Sequence, residues 1–391
     1  MATNLTDSVH NPHPADENKF NQIDLFHQIA LTLLPGVGAV TLKNLVSYCG
    51  SPQAVFSEHK KALVKIPNIG EIVADKIKSG KHEAFNRAEA EVHFILKHSI
   101  KHVFYTDKNY PKRLKNCADA PALLFYKGAL NFNASKILGI VGTRAASEYG
   151  KSITEKFVHD LSVYSDLIVV SGLAYGIDIC AHKACLKHKV ATVGVIAHGL
   201  DKMYPSNHKA VADKMMDNGA VVTEFISGTK PDRENFPMRN RIVAGMCDAI
   251  IVIESAKKGG ALITAEIANS YNRDVFAVPG NIDKEFSQGC NLLISQNKAN
   301  LVQSIADVEY FMGWDQQVQQ GANTEKQFAL FVDLTEDEKK LVDFLRPITK
   351  ADIDTICFDS GIKSSKIPSL LLTLEFKGLV KALPGKVYEM V

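Results

Sequence analysis

A chain of 391 residues is too long for one small core and, at roughly 150 residues per domain, asks for two or three. Its 46% hydrophobic and 23% charged content is that of an ordinary globular protein, and no apolar run approaches the roughly 18 residues of a membrane span, so no membrane partner is expected. The formal net charge of +2 neither demands nor excludes a polyanionic ligand, so a basic binding site has to be local. Seven scattered cysteines with no C-x-x-C pair argue against a zinc ribbon or a disulfide framework and fit reduced cytoplasmic thiols.

Residues 1–22 are polar, with His10, Pro12, His13 and Pro14 and no apolar core of a signal peptide, and are expected to form a disordered tail. Residues 23–100 are helical in pattern and carry two similar punctuations, "LLPGVGAVTLKNLV" and "VKIPNIGEIVADKI". Each reads apolar-Pro-Gly/Asn-apolar-Gly before an amphipathic helix, with Gly38 and Gly70 closing the turns, and is similar to a tandem helix-hairpin-helix unit. The helix N-termini behind these turns are suited to a phosphate, although a bundle whose hairpins only pack fits the same pattern.

Residues 101–314 are expected to form an α/β domain around a parallel sheet. Aliphatic runs "KILGIVG", "DLIVVSG", "VATVGVIA", "AVVTEF", "DAIIVIE" and "DVFAVPG" read as strands, separated by helix-length segments at 148–163, 176–188, 207–218, 235–246 and 260–272. That alternation specifies right-handed β-α-β units and a parallel sheet covered on both faces. Residues 315–327 are polar, Gln-rich and unpatterned, as in a linker. Residues 328–391 begin with a capping box at Thr335 and Glu338, then run helix, turn, helix and short hairpin, the order of a winged helix.

In an open parallel sheet, ligands bind at the carboxyl ends of the strands. Three strands here end in glycine-bearing loops: Gly142-Thr143-Arg144, Ser171-Gly172 with Gly176 ahead of a helix, and Gly259-Gly260 in "ESAKKGGALITAE". Glycine lets the main chain approach a ligand, and helix N-terminal amides favour an anion. No G-x-G-x-x-G follows the first strand and no Walker spacing holds, so neither a dinucleotide nor a P-loop nucleotide is implied. No metal cluster or cofactor motif stands out. Cations gather at the strand-to-helix junctions, among them Arg144, Lys202, Arg233, Arg239, Arg241, Lys257 and Lys258. Arg239 and Arg241 in "FPMRNRIVAG" have two readings: bidentate contact with phosphate, or internal salt bridges to Asp232 or Glu234.

The motifs "VGTR", "SGLAYGID", "GLDKMYPSNH", "FPMRNRIVAG", "GGALITAEIA" and "DVFAVPGN…SQGCNLLI" resemble, in order and spacing, the DNA-processing protein A family (DprA/Smf). The resemblance implies a non-enzymatic protein that binds and protects single-stranded DNA, pairs as a homodimer through its Rossmann-like domain, and loads a RecA-type recombinase during natural transformation. By motif, it places Gly142, Thr143, Arg144, Ser171, Gly172, the run Arg239-Asn240-Arg241, Gly259, Gly260 and Thr264 along a DNA groove. Lys202, Lys257 and Lys258 join that set from charge and placement alone. Lys258 stands where the family usually has serine. A second resemblance, to nucleotide phosphoribohydrolases, would make Glu266 and Arg241 catalytic, but their loop has a proline where Lys258 stands and a glycine where Leu262 stands. Tyr175, Tyr204 and Phe236 are candidates for base stacking.

Overall fold

The computed structural model describes residues 14–129, 131–314 and 334–390. The chain divides into two compact units, Met1–Tyr105 with Pro121–Leu124, and Thr106–Ala120 with Phe125–Val391. The expected linker at 315–327 lies outside the described residues.

The first unit is built from α1 (Pro14–Thr32), α2 (Ala39–Cys49), α3 (Pro52–Ser57), α4 (Lys60–Leu63), α5 (Glu71–Ser79) and α6 (Lys81–Lys97), followed by β1 (Lys101–Phe104). Of the segment expected as a tail, residues 1–13 lie outside the described residues and 14–22 belong to α1. Proline at the first position of a helix has no N–H to lose, so Pro14 starts α1 where the polar composition alone suggested coil. The two punctuated turns share one conformation: Gly36 and Asn68 are left-handed at φ 80° and 65°, and Gly38 and Gly70 are the extended N-caps of α2 and α5. Glycine and asparagine tolerate the left-handed region best, which explains why those types alternate there. Val40 and Ile72, two residues beyond each cap, are both exposed.

The second unit opens with α7 (Lys112–Lys115) and all but the first two residues of β2 (Leu123–Gly128), and continues β3 (Lys136–Val141), α8 (Glu148–Leu161), β4 (Leu167–Ser171), α9 (Ile177–His188), β5 (Ala191–Val195), α10 (Lys209–Met215) and β6 (Gly219–Thr223). After it come α11 (Asn235–Met246), β7 (Ala249–Val252), α12 (Gly260–Ser270), β8 (Asp274–Ala277), α13 (Gln288–Ser295), β9 (Asn300–Leu301) and α14 (Ile305–Met312). The strands run β2-β6-β5-β4-β3-β7-β8-β9, parallel except where β2 meets β6. From the central β3 the chain moves outward through β4, β5 and β6, then returns to place β7 on the other side. That reversal is the switch point at which open α/β sheets leave a crevice. β4, β6 and β7 are buried at every residue, as a sheet covered on both faces requires.

The end of the chain forms α15 (Glu336–Ile348), β10 (Lys350–Asp352), α16 (Ile353–Asp359), α17 (Ile367–Phe376), β11 (Val380–Leu383) and β12 (Val387–Met390), with antiparallel sheet order β10-β12-β11. This is a winged helix with its own core, in which Leu341, Leu345, Ile356, Ile367 and Leu371 are fully buried. Its capping box forms: the Thr335 N–H donates to Glu338 Oε2 at 2.6 Å and the Glu338 N–H to Thr335 Oγ1 at 3.3 Å.

Candidate nucleic-acid interface

The loops leaving β3, β4 and β7 converge at the switch point around a cavity of about 520 Å³. They are tied to one another through the main chain. The Thr143 N–H donates to the Glu254 carbonyl at 2.7 Å, and the Ile177 N–H donates to the Thr143 carbonyl at 3.1 Å. Gly176, at φ 77°, makes this crossing possible, because a Cβ there would sit 2.1 Å from the Thr143 oxygen. Glu254 is a buried carboxylate that accepts from the Ser147 N–H at 2.9 Å and from its hydroxyl at 2.5 Å. Ser147 in turn caps α8 by accepting from the Gly150 N–H at 3.1 Å. The turn that presents Arg144 is thus fixed at both ends before any ligand arrives.

Among the sequence-derived candidates, Gly142, Thr143, Arg144, Gly172, Asn240, Gly259, Gly260 and Thr264 line the cavity. Gly259 is the N-cap of α12, so the first amides of that helix face the cavity from one side. Arg144 is exposed, and its guanidinium carbon lies 5.0 Å from the centre of the Phe236 ring, a cation–π contact that holds the charge at the mouth. Arg233 lines the same wall and is also exposed.

Three other arginine and serine placements correct the sequence reading. Arg239 lines the back of the cavity but is 5% exposed, and its Nη1 donates to the carbonyls of Gly172 and of Val195, the latter at 2.5 Å. Its Nε donates to Asn240 Oδ1 at 3.1 Å, which aims that amide. Burial pulls the Arg239 pKa below the ordinary arginine value and the facing Asp178 carboxylate opposes it. Asp178 is itself pushed up by burial against the counter-pull of Arg239, and accepts from the Gly172 N–H at 3.1 Å. Arg239 is therefore a clamp on the turn after β4, because a buried guanidinium must find acceptors inside the protein. Arg241 does not reach the cavity: it pairs with the half-buried Glu224 and donates to the Asp119 carbonyl. Internal pairing holds for it, with Glu224 in place of Asp232 or Glu234. Ser171 is fully buried and donates to the Ile140 carbonyl at 2.6 Å, a bond between strands that removes it from any ligand.

The lysines stand farther out. Lys257 and Lys258 are exposed on the loop before Gly259, outside the cavity wall, and Lys202 is exposed with its Nζ 3.7 Å from Asp201. Glu266 is exposed on α12 with Lys298 Nζ at 3.5 Å, and does not line the cavity. A small neighbouring pocket is walled by Tyr175, Tyr204, Phe236 and His198. His198 accepts from the Tyr204 N–H at 3.2 Å through Nε2, and burial lowers its pKa, so the ring stays neutral. The sequence reading missed Glu254 and Asp178. Each is an acid set against an otherwise apolar strand end or helix start, the signal by which both are recognisable. No group of three or more His, Cys, Asp and Glu side chains suited to a metal ion occurs among the described residues.

The fold and cavity define a Rossmann-like protein with a glycine-lined, arginine-flanked cavity at the switch point, and with helical and winged-helix modules on either side in sequence. The chain belongs to the DNA recombination-mediator protein A family, whose match spans residues 101–313. The DprA winged-helix domain family matches 332–386 and the SAM-like tandem helix-hairpin-helix family matches 29–80. The Smf protein of Synechocystis sp. is 31% identical over 92% of this chain and 97% of its own length. DNA processing protein DprA of Streptococcus pneumoniae is 44% identical over 52% of this chain and 71% of its own length. The X-ray structure of DprA from Streptococcus pneumoniae superposes with a TM-score of 0.62 at 34% identity, covering 72% of this chain and 96% of that one.

Proposed function

We propose that this chain binds and protects single-stranded DNA at the switch-point cavity and acts as a mediator of recombination, not as an enzyme. The observation that carries the proposal is Arg144, solvent-exposed, seated on Phe236, on a turn braced by Glu254 and opposite the N-terminus of α12. Guanidinium and helix amides meet phosphate oxygens without reading sequence. Tyr175, Tyr204 and Phe236 offer ring faces beside that site, and a base can use a ring face only when it is unstacked, which favours a single strand over a duplex. Membership of the recombination-mediator family supports the same reading. The position of Glu266 and Arg241 away from the cavity leaves a phosphoribohydrolase mechanism without its acid and its cation.

Two further parts of the proposal concern assembly. The chain is proposed to pair as a homodimer through the Rossmann-like fold, supported by exposed Leu301, Tyr310 and Phe311 beside the edge strand β9. A RecA-type recombinase is the proposed recipient of the bound strand, in the cytoplasm. No helix among the described residues is long and apolar enough to cross a membrane.

A fluorescence anisotropy titration with oligo-dT and with a duplex of equal length tests the core reading. We expect tight binding to oligo-dT only, weakening at least tenfold between about 50 and 200 mM salt as phosphate counterions are displaced. Equal affinity for both ligands, or binding insensitive to salt, would overturn it.

A further inference from the structure

In a helix-turn-helix, the second helix reads duplex DNA through its N-terminal residues while the first crosses the backbone. In this winged helix the second helix is α17, and the hairpin β11–β12 flanks it. Both the N-terminal end of α17 and the tip of the hairpin are turned toward the Rossmann-like fold. Ser364, Ser365 and Pro368, at the start of α17, line a cleft of about 390 Å³ whose other wall is Asn116, Tyr271 and Arg273. That cleft does not admit a B-DNA duplex, which must bring a major groove about 12 Å wide over the helix end.

The contacts that hold this arrangement are specific. Arg273, 5% exposed, donates through Nη1 to Asp354 Oδ2 at 2.5 Å and through Nη2 to the Arg113 carbonyl at 2.8 Å. Asn116 donates to the other Asp354 oxygen at 3.3 Å. Burial works to lower the Arg273 pKa, but Asp354 and its neighbours Cys117 and Asp248 together outweigh it and the pKa is raised. At the hairpin tip, Lys386 donates to the Asn272 carbonyl and lies 3.7 Å from Asp274. Gly385 fits against Met312 so closely that a Cβ would sit 1.8 Å from its carbonyl oxygen. Lys112 and Lys115 stand over the Phe358 ring of α16, 5.4 and 5.3 Å from its centre. The open part of α17 is its far end, which presents Leu372 and Phe376 and no unpaired cation, since Lys377 is bound to Glu338 at 2.8 Å.

We propose that the duplex-reading surface of the winged helix is the surface by which it docks on the Rossmann-like fold, so that the docked chain is closed to double-stranded DNA and opens only when the Arg273–Asp354 and Lys386–Asp274 contacts break. Apparent duplex affinity is then the intrinsic affinity reduced by the undocked fraction. The single-strand site lies at the carboxyl ends of β3, β4 and β7 and shares none of these residues, so docking and single-strand binding are read out separately.

The test is Arg273→Glu in the full chain, which sets two carboxylates against each other and leaves the winged helix itself unaltered. Small-angle scattering is expected to show a larger radius of gyration, and anisotropy on a labelled duplex of about two helical turns should show affinity at least about tenfold above the parent, the usual scale of a coupling between sites. Oligo-dT affinity stays unchanged. Adding Asp354→Arg to Arg273→Glu restores the opposite charges, and with them the compact form and weak duplex binding. If Arg273→Glu fails to melt cooperatively, Asp274→Ala with Phe358→Ala loosens the outer contacts and is read in the same way. An opened chain with no gain in duplex affinity would overturn the proposal. So would parent duplex binding that Lys363→Ala abolishes without any change in the radius of gyration.

Discussion

The turn after β3 and the first turns of α11 both carry arginines, and the sequence allows all of them a place in one groove, with internal pairing as the alternative for Arg239 and Arg241. In the structure Arg144 stands in solvent on a turn whose hydrogen bonds are already satisfied by Glu254 and Ile177, so its five N–H donors are available to a ligand. Arg239 and Arg241, on α11, are engaged with Gly172, Val195, Glu224 and Asp119. The difference is one of surroundings: a guanidinium on a braced, exposed turn keeps its donors open to a phosphate, and the same group beneath a helix is taken up by the protein's own carbonyls and carboxylates. Substitutions in the two segments should therefore separate binding from stability.

The largest effect is expected at the clamp. Arg239→Ala leaves Asp178 buried without its counter-charge and the Gly172 and Val195 carbonyls without their donor. Removing one member of such a pair costs about 3–5 kcal/mol, to be seen as a lowered urea midpoint. A midpoint equal to the parent's would show that Arg239 is not a structural clamp.

A smaller effect is tied to pH and comes from behind the same loops. His182 is fully buried, with Nδ1 2.8 Å from Thr192 Oγ1, and burial lowers its pKa from 6.5 to about 3. The unfolded chain takes up this proton near pH 6.5 and the folded chain does not, so stability is complete above that pH and declines as pH falls from about 6.5 toward 3. At 1.36 kcal/mol per unit the loss at pH 5 is about 2 kcal/mol. Urea melts at pH 7 and pH 5 should show it, and His182→Asn should flatten the dependence. An unchanged slope in that variant would assign acid sensitivity elsewhere.

The smallest expected effect is at the loop lysines. Lys257→Ala with Lys258→Ala removes exposed charges outside the cavity wall, and should weaken oligo-dT binding by about two- to fivefold while reducing the salt slope by one to two. A loss comparable to that of Arg144→Ala would move these lysines into first contact with the strand.

Much of this was legible in the sequence because hydrophobic pattern is redundant. The six aliphatic runs fell within three residues of the bounds of β3 to β8, and the capping box at Thr335 formed as written. α1 was not fully legible, since Pro14 looks like a coil former until its place at the head of a helix is known. The strands β1, β2 and β9 are short or lie at the sheet margin, where alternation is weak. At the site, glycines that permit close approach announced themselves, but the orientation of Ser171, Arg239 and Arg241 did not. Those side chains are aimed by partners such as Asp178, Glu224 and Asp119, up to 122 residues away in sequence, and no local pattern reports a long-range acceptor.

We propose that exposure on a braced turn, not arginine content, makes the DNA site. The most direct test is oligo-dT affinity of Arg144→Ala and of Arg241→Ala, each measured at a temperature where the variant is fully folded. Charge-assisted bonds of about 1.5–3 kcal/mol predict a loss of roughly tenfold to a hundredfold for Arg144→Ala, with Arg241→Ala within about twofold of the parent. Equal losses in the two variants, or a loss confined to Arg241→Ala, would contradict the account.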